Sequence, residues 1–256
     1  MATRKPLPMP EIVSPATISG QENETLSALP AWASALDKVL SVQRPVVVAH
    51  LRGIRRRNPT LTGIQLLRVL ERRYLTAVTA GGAAVGTTAA IPAVGTGAAL
   101  AIAGAETVGF LESSALFAQS VAEVHGLPVT DPDRARALVV TMMLGGAGKD
   151  LLRQFSGEIL KTARPRSAFW GELITSNLPQ SAVRPVADEL TKRFLKRFAT
   201  TKGTTMIGKV VPFGVGAVIG GVGNHIAGRE VVRGSRSAFT PAPLMLVPSE
   251  FEMVER

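Results

Sequence analysis

The sequence predicts an all-α protein: a multi-helix bundle with a central Gly/Ala-rich helical hairpin and a C-terminal helix carrying a glycine zipper. Three observations lead there. Apolar residues recur at helical rather than alternating spacing, and proline, Asx and glycine signals punctuate the chain at helix-length intervals. Hydrophobic residues make up 46% of the chain but aromatics only 5%, so the core is built from small and aliphatic side chains that let helix backbones approach closely. One domain over residues 31–240 accounts for the pattern, with a Pro- and Ser-bearing extended or disordered arm at 1–30 and a Pro-rich, then acidic, tail at 241–256. The absence of cysteine excludes a disulfide framework and a thiolate metal site.

The elements follow in order. Pro30 suits the first position of a helix carrying Trp32, Leu36, Val39 and Leu40, and Arg44-Pro45 starts a second helix through Arg57. Asn58-Pro59-Thr60 ends that helix and caps a third, which turns Leu66, Leu67, Val69, Leu70 and Leu75 toward the core. Residues 75–105 contain no charged side chain. That stretch exceeds the roughly 20 residues a bilayer span needs, but its first half is Ala, Thr and Gly rather than Leu, Ile or Phe. A buried two-helix hairpin reversing at Ile91-Pro92-Ala93-Val94-Gly95 is the preferred reading, with a membrane-inserted hairpin as the alternative. The second arm, 97–125, ends at Gly126 as an αL terminator.

Asp131-Pro132-Asp133 then supplies a cap, a first-turn proline and a dipole-favoured carboxylate for a helix that stops at Gly145-Gly146. Further helices are expected at about 149–163, 167–176 and 182–200. In the last one, about 212–238, Gly216, Gly220, Asn224 and Gly228 recur every fourth residue and form one close-packing face. Gly82 and Gly86 repeat the spacing in the hairpin.

Several blocks carry a family resemblance: Gly82-Ala83-Ala84-Val85-Gly86, Ile91-Pro92-Ala93-Val94-Gly95, Val124-His125-Gly126, Asp131-Pro132-Asp133-Arg134-Ala135 and the run from Val211-Pro212-Phe213-Gly214 to Gly223-Asn224. In their order and spacing over roughly residues 45–240 the chain resembles the bacterial EcsC family. It departs at His125, where the family more often has an aromatic residue. The resemblance implies a helical fold and a bacterial setting; the family is named after a gene neighbour of an ABC-transporter pair, and a membrane transporter or envelope complex is the candidate partner besides an anionic membrane surface. The resemblance transfers no catalytic residue.

Net charge is +10, and the basic excess flanks a neutral-to-acidic middle. The candidate partner surface is 184–202. Val186, Leu190, Phe194 and Phe198 repeat every four residues, while Lys192, Arg193, Lys196 and Arg197 fill the adjoining face, as in a basic amphipathic helix at an anionic membrane. A core helix with a solvated basic back is the competing reading. Arg55, Arg56, Arg57, Arg72 and Arg73 extend the basic field. Nucleic acid is disfavoured, because no aromatics interleave with the charges. His50, His125 and His225 fall on different helices and predict no metal site, and no cofactor loop is present. Glu106 and Glu112, six residues apart, lie on different faces, so no acid/base pair is expected. The expected function is peripheral association with the cytoplasmic face of a bacterial membrane. An enzyme of lipid or envelope metabolism with a site in the Gly-rich interior, and a soluble interaction scaffold, are the alternatives.

Overall fold

The computed structural model describes residues 44–88, 96–159, 170–203 and 215–239, all within one compact unit, Leu36–Arg256. Among these residues there are eight α-helices and no strand. They are α1 Arg44–Arg57, α2 Gly63–Thr88, α3 Thr96–Val124, α4 Pro132–Leu144, α5 Gly146–Ile159, the short α6 Trp170–Glu172 continued by a π-helical turn Leu173–Asn177, α7 Gln180–Gly203 and α8 Val215–Ala238. The helix expected at Trp32–Leu40, the turn around Pro92 and the tail lie outside the described residues.

Local chemistry sets the helix ends. In α1, Val47, Leu51 and Ile54 are buried at helical spacing, and Arg55 donates to the carbonyls of Pro59 and Leu61 beyond its C-terminus. The cap of α2 is Thr62 rather than Thr60: the Thr62 N–H donates to Gln65 Oε1 at 2.8 Å and the Gln65 N–H to Thr62 Oγ1 at 3.3 Å, a reciprocal capping box. Gly126, at φ +72°, closes α3. Its N–H reaches the Glu123 carbonyl and that of Leu127 the Ala122 carbonyl, both at 3.0 Å, which is the Schellman pattern. Asp131 caps α4 by accepting from the Arg134 N–H at 2.9 Å, with Pro132 at the first position. At Gly145, φ +60°, the chain turns directly into α5, which starts at Gly146 instead of 149.

The buried line of α2 is Leu66, Leu70, Tyr74, Val78, Gly82 and Gly86, one residue every fourth position; Leu67, Val69 and Leu75, expected in the core, are only half-buried. The side chains are large at the start of this line and absent at its end, so α8 packs antiparallel along it and comes closest at Gly82 and Gly220. A Cβ on Gly220 would collide with the Gly82 carbonyl oxygen. Gly228 abuts Val78 and Leu75. Gly216 belongs to α8, but its surroundings lie outside the described residues. The arms α2 and α3 run antiparallel, joined through the Tyr74 hydroxyl and Ser114 Oγ at 2.8 Å and the stacked rings of Tyr74 and Phe117, with centroids 4.7 Å apart. Burial holds the Tyr74 phenol above its ordinary pKa, against the opposing hydrogen bond with Ser114.

Helix α4 runs through the centre. Residues 135–142 are buried on all faces, and Arg136, 8% exposed, is held by Asp133 and by Asp188 of α7, each at 2.7 Å. Helix α7 covers α4 with Val183, Val186, Ala187, Leu190 and Phe194, all buried. No helix among the described residues is long and apolar enough to cross a membrane.

Candidate anion-binding surface

On α7 the described part of the apolar face, Val186, Leu190 and Phe194, is committed to the core. Val186 and Leu190 are fully buried, and Phe194, expected to be able to reach a membrane, is 6% exposed and faces inward. The physical reason is that α4, buried on every side over residues 135–142, needs a cover, and α7 supplies it. The Phe198 side chain lies outside the described residues. Lys192, Arg193, Lys196 and Arg197 are exposed, yet they do not act as one uncompensated field. Arg193 donates to Glu189 Oε1 at 2.9 Å one turn back, and Arg197 lines a cleft of about 230 Å³ together with Glu106 and Glu230.

A second basic surface forms where α1 and α2 meet. Between Asp37 and Glu71 the chain has seven basic residues (Lys38, Arg44, Arg52, Arg55, Arg56, Arg57, Arg68) and no acidic one. Arg52, Arg56, Arg57, Arg68 and Arg72 are exposed. The neighbouring acid Glu71 is taken up by Arg236 of α8, at 2.6 and 2.7 Å. That pair holds the Arg236 guanidinium above its ordinary pKa, chiefly through the hydrogen bond. At the far end of α1, the buried Glu123 carboxylate is clasped by Arg44, with a closest contact of 2.7 Å.

His50, Ala49, Gly53, Arg56 and Arg57 share one face of α1 and, with Arg73 of α2, line a cleft of about 410 Å³. His50 is half-buried there. Burial first, and then the charge of Arg73, hold its imidazole below the ordinary histidine pKa, so it is neutral at neutral pH. Arg55 and Arg73 were readable only as members of a basic field. The structure separates them, spending Arg55 on the end of α1 and turning Arg73 into the cleft.

In the Gly-rich interior, the Asn224 amide bridges three helices. Its Nδ2 donates to the Val78 carbonyl of α2 at 3.0 Å and to Glu106 Oε1 of α3. Sequence spacing placed Asn224 on the close-packing face but did not show that it is there to satisfy Glu106. The exposed Glu112 takes no part. The histidines stay apart: His225 Nδ1 pairs with Thr79 Oγ1 at 3.1 Å, and His125 stacks on Phe239 at 4.9 Å. Among the described residues no group of three His, Asp or Glu side chains is arranged to hold a metal ion. Comparison with family models, with curated proteins and with solved structures finds no match to this chain.

Proposed function

We propose that this chain is an EcsC-like helical protein that associates peripherally with the anionic inner face of a bacterial membrane, beside a transporter or envelope complex. The observation that carries the reading is the acid-free stretch between Asp37 and Glu71, which leaves Arg52, Arg56, Arg57 and Arg68 of α1 and α2 exposed. The glycine spacing of α2 and α8 supports the family part of the proposal. The basic side of α7 is a secondary contributor, since its phenylalanine at 194 is occupied by packing and one of its arginines by Glu189.

Each basic residue near an anionic leaflet contributes about 1 kcal/mol, so neutralising Arg56, Arg57 and Arg72 as glutamines removes about 3 kcal/mol, on the order of a hundredfold in partitioning. Co-sedimentation with phosphatidylglycerol vesicles tests this. Wild type pellets with them and not with neutral vesicles, and the triple variant stays in the supernatant. Wild-type protein that ignores anionic vesicles favours the soluble-scaffold reading instead.

A further inference from the structure

We propose that the cleft lined by His50, Arg56, Arg57 and Arg73 is a binding site for a phosphate group, with a phosphomonoester dianion as its best-matched ligand. This rests on the reading of the α1–α2 face as an anion-binding surface. The charge around the cleft carries it, and the space at Gly53 is consistent with it.

The charge is left unspent. Arg56, Arg57 and Arg73 have no acidic partner among the described residues, whereas Arg55, Arg44 and Arg236 are all engaged by carbonyls or carboxylates. Three guanidiniums around one cavity offer several planar donor forks. A carboxylate fills one such fork with its two oxygens, while a phosphomonoester presents three charged oxygens pointing in different directions and engages donors from both helices at once.

The space lies at Gly53. A glycine inside a helix costs about 1 kcal/mol relative to alanine. At Gly53, as at Gly81, Gly104, Gly109 and Gly223, a Cβ would meet nothing within 4 Å, but Gly53 alone of these lines this cleft. No packing contact requires the missing side chain, and its absence leaves the cleft floor open between His50 and Arg57.

His50 reports on occupancy. The charged groups facing it are Arg73 from α2 and Arg56 and Arg57 from its own helix; the acid that α3 sets against α1 is Glu123, held by Arg44 at the other end of α1. A dianion in the cleft offsets the repulsion of Arg73, so binding raises the His50 pKa and takes up a proton as pH falls toward it.

The test is an NMR titration of the three histidine rings of the full chain with inorganic phosphate at constant ionic strength. His50 shifts saturably and titrates at higher pH with phosphate than without, while His125 and His225 do not move. Arg73→Gln weakens the response at least tenfold. Gly53→Leu abolishes it while melting no lower than wild type, because the side chain fills open space. Two vesicle arms, phosphatidic acid and phosphatidylglycerol at matched surface charge, identify the source. Preference for phosphatidic acid, erased by Arg73→Gln, assigns the phosphate to a lipid headgroup. A saturable His50 response to inorganic phosphate without that preference assigns the site to a soluble phosphate ester. A His50 ring that ignores phosphate, or that moves in step with the other two histidines, or that responds fully in Gly53→Leu, overturns the proposal. Failure to bind either vesicle while phosphate still moves His50 removes the membrane reading and leaves the cleft standing.

Discussion

At the scale of single residues, the glycines of α8 divide by what surrounds them, and their substitution effects divide the same way. A Cβ at Gly220 runs into the Gly82 carbonyl, a backbone atom that cannot swing aside, whereas a Cβ at Gly223 meets nothing. Gly220→Ala therefore lowers stability by about 1–3 kcal/mol through overpacking, and Gly223→Ala raises it by up to about 1 kcal/mol through helix propensity. Thermal or urea melts of the two variants moving in the same direction would contradict the α2–α8 contact. Ser120 Oγ is buried and has no hydrogen-bond partner among the described residues, so the hydroxyl incurs desolvation without return. Ser120→Ala is accordingly neutral or stabilising, and a marked drop in urea midpoint would reveal a partner for it. Asp131 responds to pH. Burial pushes its carboxyl up, but the Arg134 N–H, the Gln180 amide and the Arg134 charge together outweigh this and hold it below the usual carboxylate range. Its contribution is thus fully present above the unfolded aspartate pKa and is lost as pH falls through the lowered folded value. Asp131→Asn flattens that acid limb of the stability curve, measured as urea midpoint against pH.

At the scale of elements, what was legible in the sequence was local, and what was not depended on distant segments meeting. Asp131-Pro132-Asp133 and Gly126 announce their helix ends because a cap is satisfied within five residues. The same local text could not show that α4 is the central helix: Arg134 and Arg136 look like a solvated face until Asp188, 52 residues away, neutralises one and the carbonyls of Ile174 and Leu178 receive the other. For α7 the four-residue apolar spacing was readable, but not which surface it meets, so Phe194 was a membrane candidate until α4 was seen beneath it. The cleft was illegible for the same reason, since Arg73 reaches His50 only because the turn over residues 58–62 folds α2 back beside α1. It follows that replacing Lys192, Arg193, Lys196 and Arg197 together by glutamine weakens binding to anionic vesicles less than neutralising Arg56, Arg57 and Arg72 does. Phe194 of α7 is packed into the core, and Arg193 already has a carboxylate. An exposed pair of that kind contributes about 0.3–0.5 kcal/mol, so folding survives the change. A quadruple α7 variant that loses all vesicle binding, with the α1–α2 triple variant unaffected, would reverse the assignment of the two surfaces.

At the scale of the whole molecule, the question is whether the uncharged end of the α2–α3–α8 unit enters a bilayer or stays packed within the protein. Charge alone leaves both open, because 75–105 carries none. Packing distinguishes them. Glu106 lies just beyond that stretch and is held by the Asn224 amide, which also binds the Val78 carbonyl, while Gly82 and Gly220 bring the α2 and α8 backbones together. Opening the hairpin into lipid would strip Glu106 of that partner and expose a carboxylate to a low-dielectric medium, at a cost of several kcal/mol unless it neutralised. Attachment through the arginines of α1 and α2 demands no such rearrangement, and it has a distinct signature. Exposed charges are screened beyond about 8 Å at physiological ionic strength and beyond about 3 Å at 1 M. Membranes carrying the protein should therefore release it into a 1 M salt wash, and vesicle binding should fall steeply as salt rises. Protein that resists salt and persists through alkaline carbonate would mean that the hairpin has inserted. In that case Gly220→Ala, which loosens α8 from α2, would increase the carbonate-resistant fraction rather than leave it unchanged.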